Sequence, residues 1–160
     1  MYHLYRYATE WLKKHSFLEA GGVAITPSAE LKGKRGADWV IHTASVGAYR
    51  YPHENAKFWF KRQITNILIT AKELQARSIV MPLLGSGESN FPVDVVVEII
   101  SKTITEFHSI DSEMSKEPNA MGLWGKSTKL ESITIVVWKN LKGGDKPEKN
   151  PSLKHFTETQ

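Results

Sequence analysis

Ile79-Val-Met-Pro-Leu-Leu-Gly-Ser-Gly-Glu-Ser-Asn-Phe-Pro92 is the stretch on which the reading of the fold turns. It has the form of a buried strand, a loop of small residues, and a proline placed to open a helix. Gly85 and Gly87 admit positive φ and let the backbone approach a ligand closely. Ser86 and Ser89 add hydroxyl donors, Asn90 tolerates a left-handed conformation, and Phe91 offers an aromatic face. A loop built this way turns several N–H groups toward one point, which suits a phosphate or diphosphate. The alternative is an ordinary strand-to-helix turn with no ligand, and the loop alone leaves the two readings even.

Upstream of this stretch, residues 54–76 are predicted to form a long helix. Its buried side would carry Phe58, Ile64, Ile67, Leu68, Ala71 and Leu74. Before it, residues 23–26 and Trp39–Thr43 read as strands, separated by a basic, glycine-containing turn at 31–37. Leu4, Ala8, Trp11 and Leu12 recur at helical spacing, which predicts a helix over about residues 2–18, ended by Gly21-Gly22. Downstream, Val95, Val96, Ile99, Ile100 and Ile104 predict a helix from Pro92 to about Phe107. Residues 109–132 are polar and read as an insertion or long loop, followed by a last strand at 133–138. The apolar run at 78–83 predicts a central strand covered on both faces. The alternation implies an α/β fold, a mixed or parallel sheet with helices on both faces, in one domain over residues 1–140. Residues 141–160 read as a basic, disordered tail.

At 160 residues the chain is long enough for one real core, and its composition is that of an ordinary globular protein. The net charge of +4 is mild and falls short of the clustered basic face that nucleic acid requires. The absence of cysteine excludes a disulfide framework, a thiol nucleophile and a cysteine-based zinc site. It also fits an intracellular protein, cytoplasmic or nuclear. No apolar run reaches the roughly 20 residues that span a bilayer, and no signal peptide opens the chain. The six histidines show no metal-binding pairings, so neither metal nor cofactor is expected. His42 is read as a hydrogen-bonded core or sheet-face residue. Trp39, Phe58, Trp59, Phe60 and Trp138 are read as core and covering aromatics. Lys32, Lys34 and Arg35 form a solvated turn, with an electrostatic collar for an anion as the alternative.

Three ordered pieces resemble the macro domain family, the ADP-ribose-binding α/β modules. Val40-Ile-His-Thr43 is similar to the family strand "IIHTVGP". Residues 54–77 resemble the helix that follows it. Residues 78–92 resemble "SIAFPAISTGIYGYP", the second phosphate loop, with the spacing from Pro82 to Pro92 kept. Gly22-Val-Ala24 adds a weaker likeness to "TGEA". The resemblance implies a three-layer α/β/α fold that holds ADP-ribose or a related nucleotide diphosphate, free or on an ADP-ribosylated protein. Its ligand-binding residues would be Gly85, Ser86, Gly87, Glu88, Ser89, Asn90 and Phe91. The backbone amides from Ser86 to Asn90 would hold the diphosphate, with Phe91 beside a ribose or the adenine.

The chain departs from the family pattern at two places. Asn90 stands where glycine is usual. The family's leading strand, its adenine-reading acid, its "VNAAN" segment and its "GGG" loop have no counterparts, so the resemblance implies an N-terminally shortened domain. Where one branch of the family places a catalytic lysine and aspartate, this chain has Thr43-Ala44 and Glu88-Ser89. Glu88 is the candidate general base, against the reading that it is a solvated loop residue. Three functions therefore stay open: an ADP-ribose-binding module, a hydrolase or deacetylase acting on ADP-ribose derivatives, and a ligand-free interaction domain. A shortened sheet implies an exposed edge, and with it a homodimer or a partner chain.

Overall fold

The computed structural model describes residues 2–15, 17–29, 31–32, 36–44, 53–87, 89–114 and 130–137. Seven elements follow in order: α1 (Tyr2–His15), β1 (Val23–Pro27), β2 (Trp39–Thr43), α2 (His53–Glu73), β3 (Ser78–Pro82), α3 (Val93–Met114) and β4 (Ser132–Val136). This is an α/β fold. Its described strands form two pairs, β1 antiparallel to β2 and β3 parallel to β4.

The helix α2 organises the core. Ala56, Phe60, Ile64, Ile67, Leu68 and Ala71 recur three or four residues apart and are all buried. Val96, Ile100 and Phe107 of α3 meet them, and Ile79 and Met81 of β3 close the same cluster. Val23 and Ile41 bring β1 and β2 against it. The helix then stops in a Schellman turn. The Ala76 amide donates to the Ala71 carbonyl (2.9 Å), the Gln75 amide donates to the Lys72 carbonyl (3.0 Å), and Gln75 is left-handed at φ 55°.

Several expectations are corrected. The helix α1 ends at His15, ahead of Gly21-Gly22, with Lys13, Lys14 and His15 suited to its negative end. Phe58 and Trp39 are exposed, whereas Phe60 is fully buried. Strand β3 is covered on one face only, because Ile79 and Met81 point inward while Val80 is 69% exposed. Helix α3 continues to Met114, through residues read as loop. A contact distant in sequence carries it on: Asp111 reaches the Lys72 ammonium at 2.5 Å, and both are buried. Residues 115–129, Trp138, and the tail at 141–160 lie outside the described residues.

Candidate functional site

The loop after β3 is built by its own hydrogen bonds. The Leu83 amide still donates to Val136 of β4 (3.1 Å), which ties the loop's first residue to the sheet. Gly85 then turns left-handed at φ 86°, and Asn90 does the same at φ 57°. Between these two reversals the Asn90 amide donates to the Gly87 carbonyl (2.9 Å) and the Phe91 amide to the Gly85 carbonyl (3.1 Å). The Ser86 hydroxyl donates to the Leu83 carbonyl at 2.7 Å. Asn90 therefore keeps the left-handed geometry despite standing where the family has glycine.

Aromatic packing forms the floor. Phe60 of α2 stacks on Phe91, with centroids 5.3 Å apart and ring planes 26° from parallel. A Cβ on Gly85 would lie 3.1 Å from Phe60 Cε2 and 3.4 Å from Val96 Cγ2. Gly85 is thus required both for its φ and for the space beneath it. Gly87 is the opposite case: it is exposed, and an added Cβ would meet nothing within 4 Å.

Several named site residues take structural roles. Phe91 is 3% exposed and its ring packs into the core against Phe60. Ser89 is buried as well. The amides of Asn90 and Phe91 and the hydroxyl of Ser86 are spent on the loop's own shape. The exposed point of the described loop is Gly87. Glu88 lies outside them. Helix α3 begins directly behind the loop, and its N-terminal end adds a positive dipole, with Asp94 in the first turn opposing it.

The same helix α2 holds a second wall, formed by residues that sequence reasoning passed over. Gln63 Nε2 donates to the Thr43 hydroxyl (2.9 Å), which in turn donates to the Gly22 carbonyl (3.1 Å). Asn66 Nδ2 donates to the Gly21 carbonyl at 2.7 Å. The signal was two amide side chains, three residues apart, on an otherwise apolar helical face. Thr43 is thereby a structural link between β2 and α2. Arg62 lies 5.0 Å over the Trp59 ring and brings a cation to this side.

His42 shares a 2.8 Å hydrogen bond with the Thr26 hydroxyl across the β1–β2 ladder, and burial lowers its pKa. It acts as a sheet-face residue. Lys32 pairs with Asp38 at 3.4 Å, while Lys34 and Arg35 lie outside the described residues. That turn borders an open cleft of about 360 Å³ lined by Pro27, Ser28, Ala29, Lys32, Asp38 and Trp39. The cleft sits at the far end of the β1–β2 pair and includes no residue of the loop. Among the described residues, no three His, Asp or Glu side chains converge as metal ligands. No helix among them is long and apolar enough to cross a membrane.

The family model of the macro domain matches residues 2–100, more than half of the chain. The chain belongs to the macro domain family. Among relatives, this macro domain is 32% identical over 105 residues to an uncharacterised protein of Sulfurisphaera tokodaii, covering 66% of this chain and 53% of that one. It is 31% identical over 97 residues to an uncharacterised protein of Pyrobaculum aerophilum, covering 61% and 49%. It thus spans about half the length of these relatives. Among solved structures, the Oceanobacillus iheyensis macrodomain with ADP superposes at a TM-score of 0.59 with 18% identity, over 83% of this chain and 60% of that one. A mutant of that macrodomain with ADPR superposes equally well, over 83% and 62%. At this identity the likeness is one of fold.

Proposed function

We propose that this macro domain binds ADP-ribose, or a closely related nucleotide diphosphate, against the backbone of the loop at 85–91. The observation that carries the reading is the pair of left-handed residues, Gly85 and Asn90, which bracket an exposed and uncrowded Gly87. Gly87 is the exposed point of the described loop and α3 begins at Val93 just after it, so fixed dipoles favour an anion there. The solved neighbours hold ADP and ADPR, which supports a nucleotide diphosphate as the ligand class. Binding is the function assigned. Turnover would need a base at the ligand, and His42 is committed to Thr26 on the sheet.

Calorimetric titration with ADP-ribose tests the reading. Micromolar binding is expected for the native chain and should vanish in Gly87→Glu, because the added carboxylate occupies the anion's place and repels it. The melting temperature of that variant should be unchanged, since open space surrounds Gly87. No heat at millimolar ADP-ribose overturns the proposal.

A further inference from the structure

The cleft at the far end of the β1–β2 pair lies apart from the loop at 85–91, and its frame is fixed by backbone bonds. The Ser28 amide donates to the Asp38 carbonyl (3.1 Å), and the buried Ser28 hydroxyl donates to the Ala37 carbonyl. The Leu31 amide donates to the Ser28 carbonyl (3.0 Å) and the Lys32 amide to the Ala29 carbonyl (3.3 Å), so Lys32 is held beside the end of β1. Ala29 itself is left-handed at φ 51°, a conformation that a residue with a Cβ adopts at a cost. Strain of this kind persists where the surroundings over-determine it, and it clusters at binding sites.

Three side chains on this frame reach solvent. Trp39, the first residue of β2, is 47% exposed, and among the described residues no other ring stacks on it. Lys32 and Asp38 stand 3.4 Å apart, with 75% and 65% of their side chains exposed. A pair so exposed contributes little to stability, and a ligand can take over either partner. Trp39 thus offers a planar face, the Asp38 carboxylate accepts two hydrogen bonds side by side, and the Lys32 ammonium donates next to it. The cleft volume of about 360 Å³ falls in the range of about 300–1,000 Å³ that small-molecule sites occupy.

We infer that this cleft binds a guanine base, stacked on Trp39, with Asp38 accepting from its N1–H and 2-amino group and Lys32 donating to its O6. Guanine alone among the common bases sets two adjacent N–H donors beside a carbonyl acceptor on one edge. Adenine and cytosine bring one amino group to the carboxylate and uracil one N–H, so each leaves a carboxylate oxygen unmatched. Stacking on an aromatic ring with hydrogen bonds to the Watson–Crick edge is how an unpaired base is read. The recognised group is the base, carried by a free nucleotide or by an unpaired position of a single strand. Neither carrier requires the clustered basic face of a duplex-binding protein. The inference is independent of ADP-ribose at the loop, because no residue of 85–91 lines the cleft.

The test follows the Trp39 indole N–H by NMR, since the chain has five tryptophans and bulk fluorescence would mix them. GMP should shift it at millimolar concentration or below, with AMP, CMP and UMP weaker by about tenfold or more. IMP, which lacks the 2-amino group, should bind several-fold more weakly than GMP. Asp38→Asn turns one acceptor into a donor and should remove the preference for GMP, while ADP-ribose binding and the melting temperature stay unchanged. The comparison of GMP with IMP uses the native chain, so it decides even if that variant does not fold. The single strands UUGUU and UUAUU identify the carrier. A shift by GMP assigns a free nucleotide, a shift by UUGUU alone assigns a strand, and either supports the inference. Equal affinity for GMP and IMP, a GMP effect unchanged in Asp38→Asn, or no shift by GMP or UUGUU at millimolar concentration each overturns it.

Discussion

Gly85 and Gly87 stand two residues apart and answer to different constraints. At Gly85 a side chain must adopt φ 86° and also displace the Phe60 ring, 3.1 Å away. Gly85→Ala should lower the unfolding free energy by about 1–3 kcal/mol, read from urea midpoints. ADP-ribose affinity should fall with it as the loop deforms. Gly87→Glu should lose binding at a stability change within about 0.5 kcal/mol, which separates loop shape from ligand contact. Gln75 is a third case, a non-glycine at the left-handed cap of α2. Its conformational penalty of roughly 1–2 kcal/mol exceeds the roughly 0.5–1 kcal/mol that a glycine's freedom costs. Gln75→Gly should therefore stabilise the chain by about half a kilocalorie. Both loop glycines were legible as backbone positions in the sequence. That Phe91 points into the core was not, because an aromatic beside a proline reads equally well as floor or as wall until Phe60 is placed against it.

At the scale of elements, α2 and α3 are locked at their far ends by the buried Lys72–Asp111 pair. Asp111→Ala takes the carboxylate away from a buried ammonium, so it should destabilise the chain in chemical denaturation by on the order of 2–4 kcal/mol. The double replacement Lys72→Met with Asp111→Leu should recover most of that loss. The pair also explains why the end of α3 was misread: residues 109–114 look polar until Asp111 has a partner on another helix. On the β1–β2 pair, His42 supplies a pH dependence. Burial lowers its folded pKa below the usual 6.5, so the unfolded chain binds the extra proton. The associated stability is fully present above that value and lost as pH falls toward the lowered pKa. Unfolding free energies compared at pH about 7.5 and about 5.5 should show a drop that His42→Gln reduces.

At the scale of the molecule, the order of strands and helices was legible from periodicity, because each apolar run has the length and bounding residues of its element. The pairing of the strands was not. Whether β2 and β3 lie side by side depends on backbone edges, and edges leave little trace in composition apart from prolines such as Pro27 and Pro82. The exposure of Val80 likewise reflects what covers a sheet face, which no local pattern encodes.

The Leu83–Val136 hydrogen bond sets an order of events for the folding chain. Strands β1 and β2 pair across a short turn, whereas β3 and β4 pair residues 54 positions apart, as Ser78 and Ser132 are. Contacts of such separation form late, since the entropy of closing the intervening chain must be overcome first. The residue that opens the loop is anchored to the last strand. The candidate ligand surface therefore depends on β4, and its closure is expected among the late steps of folding. A nucleotide that binds it would act on the final closure step, slowing the release of β4 without hastening the collapse of the helical core.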